Sequence, residues 1–217
     1  AANLVNDAML IEFALPEEPE PTDLIINEIL FNPRPEGVDF VELYNRSEKY
    51  ILIADLALSN FEDSIRNLRV LNVDGVISPH SYIVFTPDPA VLSSQYPGSD
   101  PKAFRKSSIP PLNDESGTIA LLDPHRNVID RFAFDDRIHS TLIRETEGIS
   151  LERISMTEPA HLHSNWKSAS SRSGFATPGG PNSNSVGDGS STEKPIVVEP
   201  EIFEPTSGTT NFARIVY

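Results

Sequence analysis

The sequence predicts an all-β protein, a sandwich of about seven to nine strands. Its apolar runs are short, of strand length, and are punctuated by clusters of Gly, Pro, Asn, Asp and Ser that favour turns. Several of those runs alternate with period two, as a half-buried strand does. The two stretches with helical character, residues 60–67 and 88–96, are short.

Taken in order, Asn3 to Leu15 reads as one strand, with Met9, Ile11 and Phe13 alternating against Leu10, Glu12 and Ala14. The PEEPEPTD stretch that follows, Pro16 to Asp23, opposes regular structure and burial, so residues 1–22 read as an N-terminal strand and a Pro/Glu linker. Leu24 to Phe31 and Val38 to Tyr44 are two strands joined by the turn-forming residues Asn32 to Gly37. In the second of them Val41 and Leu43 share one face, and Phe40, Glu42 and Tyr44 share the other.

Asn45 to Tyr50 is a tight connection, and Ile51 to Asn60 supplies a strand with Leu52, Ala54, Leu56 and Leu58 on one side. Residues 60–67 form a polar excursion, Leu68 to Val73 a strand, Asp74-Gly75 a turn, and Ser81 to Thr86 another strand. The proline-rich stretch Pro87 to Asp114 reads as a long crossing with a short helix capped by Asp88. Thr118 to Asp123 and Val128 to Phe134 make a hairpin. Ile149 to Ser155 alternates, with Leu151 and Arg153 on one face and Ser150 and Glu152 on the other. Trp166, the single tryptophan, and Phe175 sit in a turn-rich stretch and are expected to anchor it on the core. Residues 23–183 then form the main sandwich, 184–195 a flexible linker of Ser, Gly, Asn, Asp and Thr, and 196–217 the opening of a following module or a strand-forming extension.

Composition excludes more than it assigns. A formal charge of -15 opposes binding to a phosphate backbone. The absence of cysteine removes disulfides and thiolate metal sites, and no apolar run approaches the roughly 18 to 20 residues that cross a bilayer. His161 and His163, two apart, would share one face of a strand and with Glu158 could reach a metal, but no HExxH spacing accompanies them. Asp135, Asp136, His139 and Ser140 bring triad residue types together without a nucleophile elbow. No metal site is assigned; calcium at Asp55, Glu62 and Asp63 or at Asp188 is the one cofactor the acidic loops leave open.

The unusual feature is a pair of acids, Glu28 and Glu42, planted inside apolar strands. Burial there demands hydrogen bonds or a counter-charge. A solvated or edge face is the first expectation for both. Paired carboxylates on adjacent strands are also the raw material of a glycosidase. Arg153 of the LER motif offers a third reading, in which Glu28, Glu42 and Arg153 form a structural polar network with no catalytic role.

A family resemblance joins these pieces. INEILFNP (Ile26 to Pro33), DFVELYNRS (Asp39 to Ser47), ISPHSYIVFT (Ile77 to Thr86), the turn at Asp123 to Val128, GISLER (Gly148 to Arg153), SNWKSA (Ser164 to Ala169) and ATPGGPNS (Ala176 to Ser183) together resemble a bacterial lamin-tail domain. The resemblance implies an immunoglobulin-like β-sandwich and a non-catalytic structural or protein-interaction module of a secreted or cell-surface multidomain protein of the bacterial envelope. It supplies no catalytic residues. The partners it implies are other domains of the same chain, another protein or a surface glycan, with neither nucleic acid nor membrane insertion. A carbohydrate- or matrix-binding module and a hydrolase using the paired carboxylates are the alternatives.

Overall fold

Alternating apolar residues with turn-forming breaks produce the strands β1 (Leu24–Leu30), β2 (Phe40–Asn45), β3 (Ile51–Leu52), β4 (Ala57–Phe61), β5 (Ile65–Val70), β6 (Val76–Ile77) and β7 (Tyr82–Thr86). The helix α1 (Pro89–Gln95) follows, then β8 (Phe104–Lys106), β9 (Ser116–Leu122), β10 (Val128–Asp135), β11 (Leu151–Arg153) and β12 (Trp166–Ser168). The structure, a computed structural model, describes residues 15–185 and two further strands, β13 (Val197–Glu199) and β14 (Arg214–Val216). The chain divides into two compact units, Ala1–Ser185 and Val186–Tyr217. In the second, β13 and β14 pair antiparallel. The strand expected over residues 3–15 and the linker expected over 184–195 lie outside the described residues, apart from Leu15, Asn184 and Ser185.

The first unit is a two-sheet sandwich. Its six-stranded sheet runs β12-β11-β1-β2-β7-β8, and its four-stranded sheet runs β10-β9-β4-β5. The core lies between them: Leu24, Ile26, Ile29, Val41, Leu43 and Phe85 of the larger sheet meet Leu58, Ile119, Leu121, Phe132 and Phe134 of the smaller. A bulge between Ile26 and Glu28 shifts the alternation of β1, so even-numbered residues face the core before it and odd-numbered ones after it. Glu28 and Leu30 therefore point to the opposite, outer face.

That outer face is covered as well, which is why all seven residues of β1 are buried. A second apolar cluster holds Leu30, Phe40, Val84 and Phe104 of the sheet against Leu92 and Tyr96 of the α1 region and Ala176. The helix begins as expected, with the Asp88 carboxylate accepting from the Ala90 and Val91 N–H groups at 3.0 and 3.2 Å. Beside it runs a non-regular strap, Phe175 to Ser185, pinned where Ser150 N–H donates to Phe175 O (3.0 Å) and Asp100 N–H donates to Pro178 O (3.1 Å).

Three local expectations change. The single strand expected over residues 51–60 is broken at Asp55, whose φ of 74° bends the chain, so Ile51, Ile53, Leu56 and Leu58 are buried while Leu52 turns outward. The polar excursion at 60–67 is no helix but the end of β4, a turn and the start of β5, paired through Asn60↔Arg66 and Phe61↔Ile65. The Pro/Glu stretch is tethered: Glu17 bridges to Ile51, and Lys49 reaches Asp23 at 2.9 Å and Glu20 at 3.3 Å. The strands between residues 15 and 185 number twelve because the stretch 51–60 divides into β3 and β4, and because β6, β8 and β12, only two or three residues long, are too short to register as apolar runs.

Candidate functional site

Strand pairing builds a row of acids across the outer face of the larger sheet. Glu28 lies opposite Glu152 on one side and Glu42 on the other. The row continues to Lys167 of β12 beyond Glu152, and to Val84 of β7 beyond Glu42. All three glutamates are fully buried. Directly opposed side chains in a sheet stand about 5 Å apart. Two ionised carboxylates at that distance repel by about 3 kcal/mol at an effective dielectric constant of about 20. Among the described residues none of the three carboxyls has an ion-pair partner. The expectation of a solvated or edge face for Glu28 and Glu42 is thus corrected, because the strap roofs the sheet there.

The strap supplies the hydrogen bonds that a counter-charge would otherwise supply. Thr177 N–H donates to Glu28 Oε1 (2.9 Å), and Gly179 N–H donates to Glu42 Oε2 (2.6 Å). Glu152 Oε2 accepts from Ser183 Oγ (2.8 Å), Asn184 N–H (3.1 Å) and Asn184 Nδ2 (2.8 Å). From the sheet itself, Ser150 Oγ donates to Glu28 and Asn27 Nδ2 donates to Glu42 Oε1 at 2.7 Å. Asn27 and Asn182 exchange amide contacts, and Asn182 Nδ2 also reaches Arg153 O at 2.8 Å. Gly179 has a φ of 91°, and a Cβ there would lie 2.6 Å from Asp100 O, so only glycine brings this N–H onto Glu42.

Burial pushes the Glu28 carboxyl up to about 8, and neighbouring Glu152 adds to the rise while Ser150 and Thr177 oppose it. Burial likewise holds Glu42 well above the usual carboxylate range; Glu28 and Glu152 reinforce the shift, and Asn27 and Gly179 counter it. The donors are too few and too neutral to reverse the loss of water.

Arg153 is not part of this row. It follows Glu152 in β11 and therefore points to the inner face, where Nη1 donates to Asp130 Oδ2 of β10 at 2.8 Å. Its other donors reach Ile26 O (3.2 Å), Ser155 O (3.2 Å) and Glu158 O (2.6 Å). Asp130 Oδ2 also accepts from Ile26 N–H at 2.9 Å. The expected pairing of Arg153 with Glu28 or Glu42 is corrected by strand alternation, which separates adjacent residues onto opposite faces. Trp166 is buried, stacked on Phe132 with ring centroids 3.6 Å apart, and donates its indole N–H to Ala160 O at 2.8 Å. Phe175 is only half-buried and belongs to neither cluster. Its backbone, with a φ of 73°, carries the contact to Ser150 instead.

The remaining candidates come apart. Asp135 pairs with Arg137, while His139 is buried, with Nδ1 3.0 Å from Ser168 Oγ and its protonation suppressed by burial to about 4. His163 opens a one-turn 3-10 helix, so it shares no strand face with His161. Among the described residues no group of three or more His, Cys, Asp or Glu is arranged to hold a metal ion. The glycosidase reading needs an open groove between two carboxylates; Glu28 and Glu42 are closed off under the strap.

Sequence reasoning overlooked Glu152, Asp130, Thr177, Gly179 and Asn182 as parts of these networks. The signal for Glu152 was present, since the alternation that placed Arg153 with Leu151 put Glu152 on the face opposite to them. The strap residues carried no periodic signal, only the ATPGGPNS segment itself.

Comparison with curated proteins finds no match. The family model of the Lamin Tail Domain matches residues 17–136, more than half of the chain, including Glu28 and Glu42 and ending before Glu152 and the strap. That family is one of non-catalytic structural and interaction modules. The match and the sandwich agree: this chain belongs to the Lamin Tail Domain family.

Proposed function

We propose that the domain is a rigid spacer and protein-interaction module of a secreted or cell-surface chain, with neighbouring domains of the same chain as its first partners. The observation that best supports this is that its polar chemistry is turned inward. Glu28, Glu42 and Glu152 hold the strap, and Arg153 and Asp130 hold the two sheets together. Groups engaged in this way stabilise a scaffold and are withheld from a substrate. Protease treatment of intact source cells tests the location. A surface or secreted role requires that the chain be degraded on intact cells or recovered from the medium. Protection until the cells are lysed would overturn it.

A further inference from the structure

Proton counting in the carboxyl row leads to a conformational device. Thr177 Oγ1 lies 3.1 Å from Glu28 Oε2 and 2.8 Å from Glu152 Oε1. A hydroxyl carries a single proton and can donate to only one of them. The other contact holds only if that carboxyl brings a proton of its own and donates to Thr177. Two ionised carboxylates at these positions would leave one oxygen facing a lone pair, beside another negative charge and away from water.

The same row is what the strap rests on. Thr177, Gly179, Ser183 and Asn184 all place hydrogen bonds on Glu28, Glu42 or Glu152, and further sheet-facing bonds run from Asn184 Nδ2 to Ser168 O (2.9 Å) and from Asn182 to Asn27 and Arg153 O. Among the described residues no element packed against the row offsets its charge at ion-pair distance. Lys167 of β12 flanks Glu152 but is exposed. Tyr82 of β7 stands on the Glu42 side. Tyr96, at the end of α1, faces Glu28 but gives its hydroxyl proton to Gly148 O at 2.9 Å, with Arg34 over its ring. Asp100, behind Gly179, directs its carboxylate to the Lys102 N–H. Residues 176–185 of the strap carry no titratable side chain.

We propose that the row is a proton-dependent latch: protons held at Glu28 and Glu42 keep the strap seated across β11, β1 and β2, and their loss at mildly alkaline pH frees the strap while the sandwich core stays folded. The release is local because the core between the sheets lies on the other face of β1 and β2 and makes no use of these carboxyls. The Glu28 carboxyl, raised to about 8, places the transition above neutrality, and burial shifts Glu42 in the same direction.

Hydrogen exchange of the full chain, read by mass spectrometry and corrected for the intrinsic pH dependence of exchange, tests the latch. Between about pH 6 and about pH 9, protection of the strap amides should fall roughly tenfold or more, while peptides from β9 and β10 keep theirs. Glu28→Gln supplies a neutral side chain of the same shape and an N–H donor at every pH, and should flatten the strap's response. Equal strap protection at the two pH values overturns the proposal, as does parallel loss in β9 and β10 or a Glu28→Gln profile that follows the wild type. If that variant does not fold, the wild-type comparison and Glu42→Gln decide the question.

Discussion

Glu152 and Arg153 are consecutive residues of β11, both buried, and they solve the problem of a buried charge in opposite ways. On the inner face Arg153 meets Asp130, and backbone carbonyls take its remaining donors. On the outer face Glu152 meets another glutamate, and neutral donors from a strap close the site. An opposite-charge pair holds its proton count fixed across ordinary pH. A like-charge row is comfortable only when it retains protons, so its contribution to stability varies with pH.

The largest effect should come from breaking the inner pair. Arg153→Met leaves the part-buried Asp130 and the carbonyls of Ile26, Ser155 and Glu158 without their donor and should destabilise the chain by about 3–5 kcal/mol. Urea denaturation should give nearly the same loss at about pH 6 and about pH 8, whereas a strongly pH-dependent loss would erase the contrast with the row. A smaller effect is expected from Glu42→Ala, which strands the Gly179 N–H and an Asn27 donor at a cost of about 1–3 kcal/mol each, partly relieved by the removal of a like charge. An unchanged melting temperature would mean that the row does not hold the strap. The smallest should come from Phe175→Ala, below about 1 kcal/mol, because the ring lies outside both clusters. Trp166→Ala, which empties the space beside Phe132, should cost about 3–5 kcal/mol. Equal losses at the two sites would make Phe175 a core residue after all.

The all-β sandwich was legible because short apolar runs bounded by turn-forming residues mark β1, β2, β7, β9 and β10, the strands that build most of the core, and because period-two alternation is readable in β2 and β10. The Val41 and Leu43 face was readable for the same reason. Breaks set by a single backbone angle were not legible: Asp55 at positive φ split one apolar run into β3 and β4, and nothing in the type of its neighbours requires it. Of the site, the sequence revealed the two acids because charge inside an apolar run is conspicuous. It did not reveal their burial, since the roof comes from residues roughly 135–150 positions away and consists of backbone N–H groups and small polar side chains. The partner of Arg153 was misassigned because choosing between Asp130 and Glu28 depends on which sheet faces β11, a tertiary fact.

The central contrast is tested most directly by the pH dependence of thermal stability in the wild-type chain beside Glu28→Gln and Glu42→Gln. The sign follows from proton uptake. Glu28 and Glu42 bind protons more tightly folded than unfolded, so their contribution is greatest below their unfolded value of 4.5 and is lost as pH rises through their folded values. Asp39, raised by burial to about 7, acts in the same direction at lower pH. His139, depressed by burial, acts oppositely below its usual 6.5. Between about pH 7 and about pH 9 the row is left as the main contributor, and the wild-type melting temperature should fall, by stability losses on the order of a few kcal/mol, while each Gln variant falls less. A wild-type melting temperature that is flat or rises across that window, or variants that track it, would contradict the account.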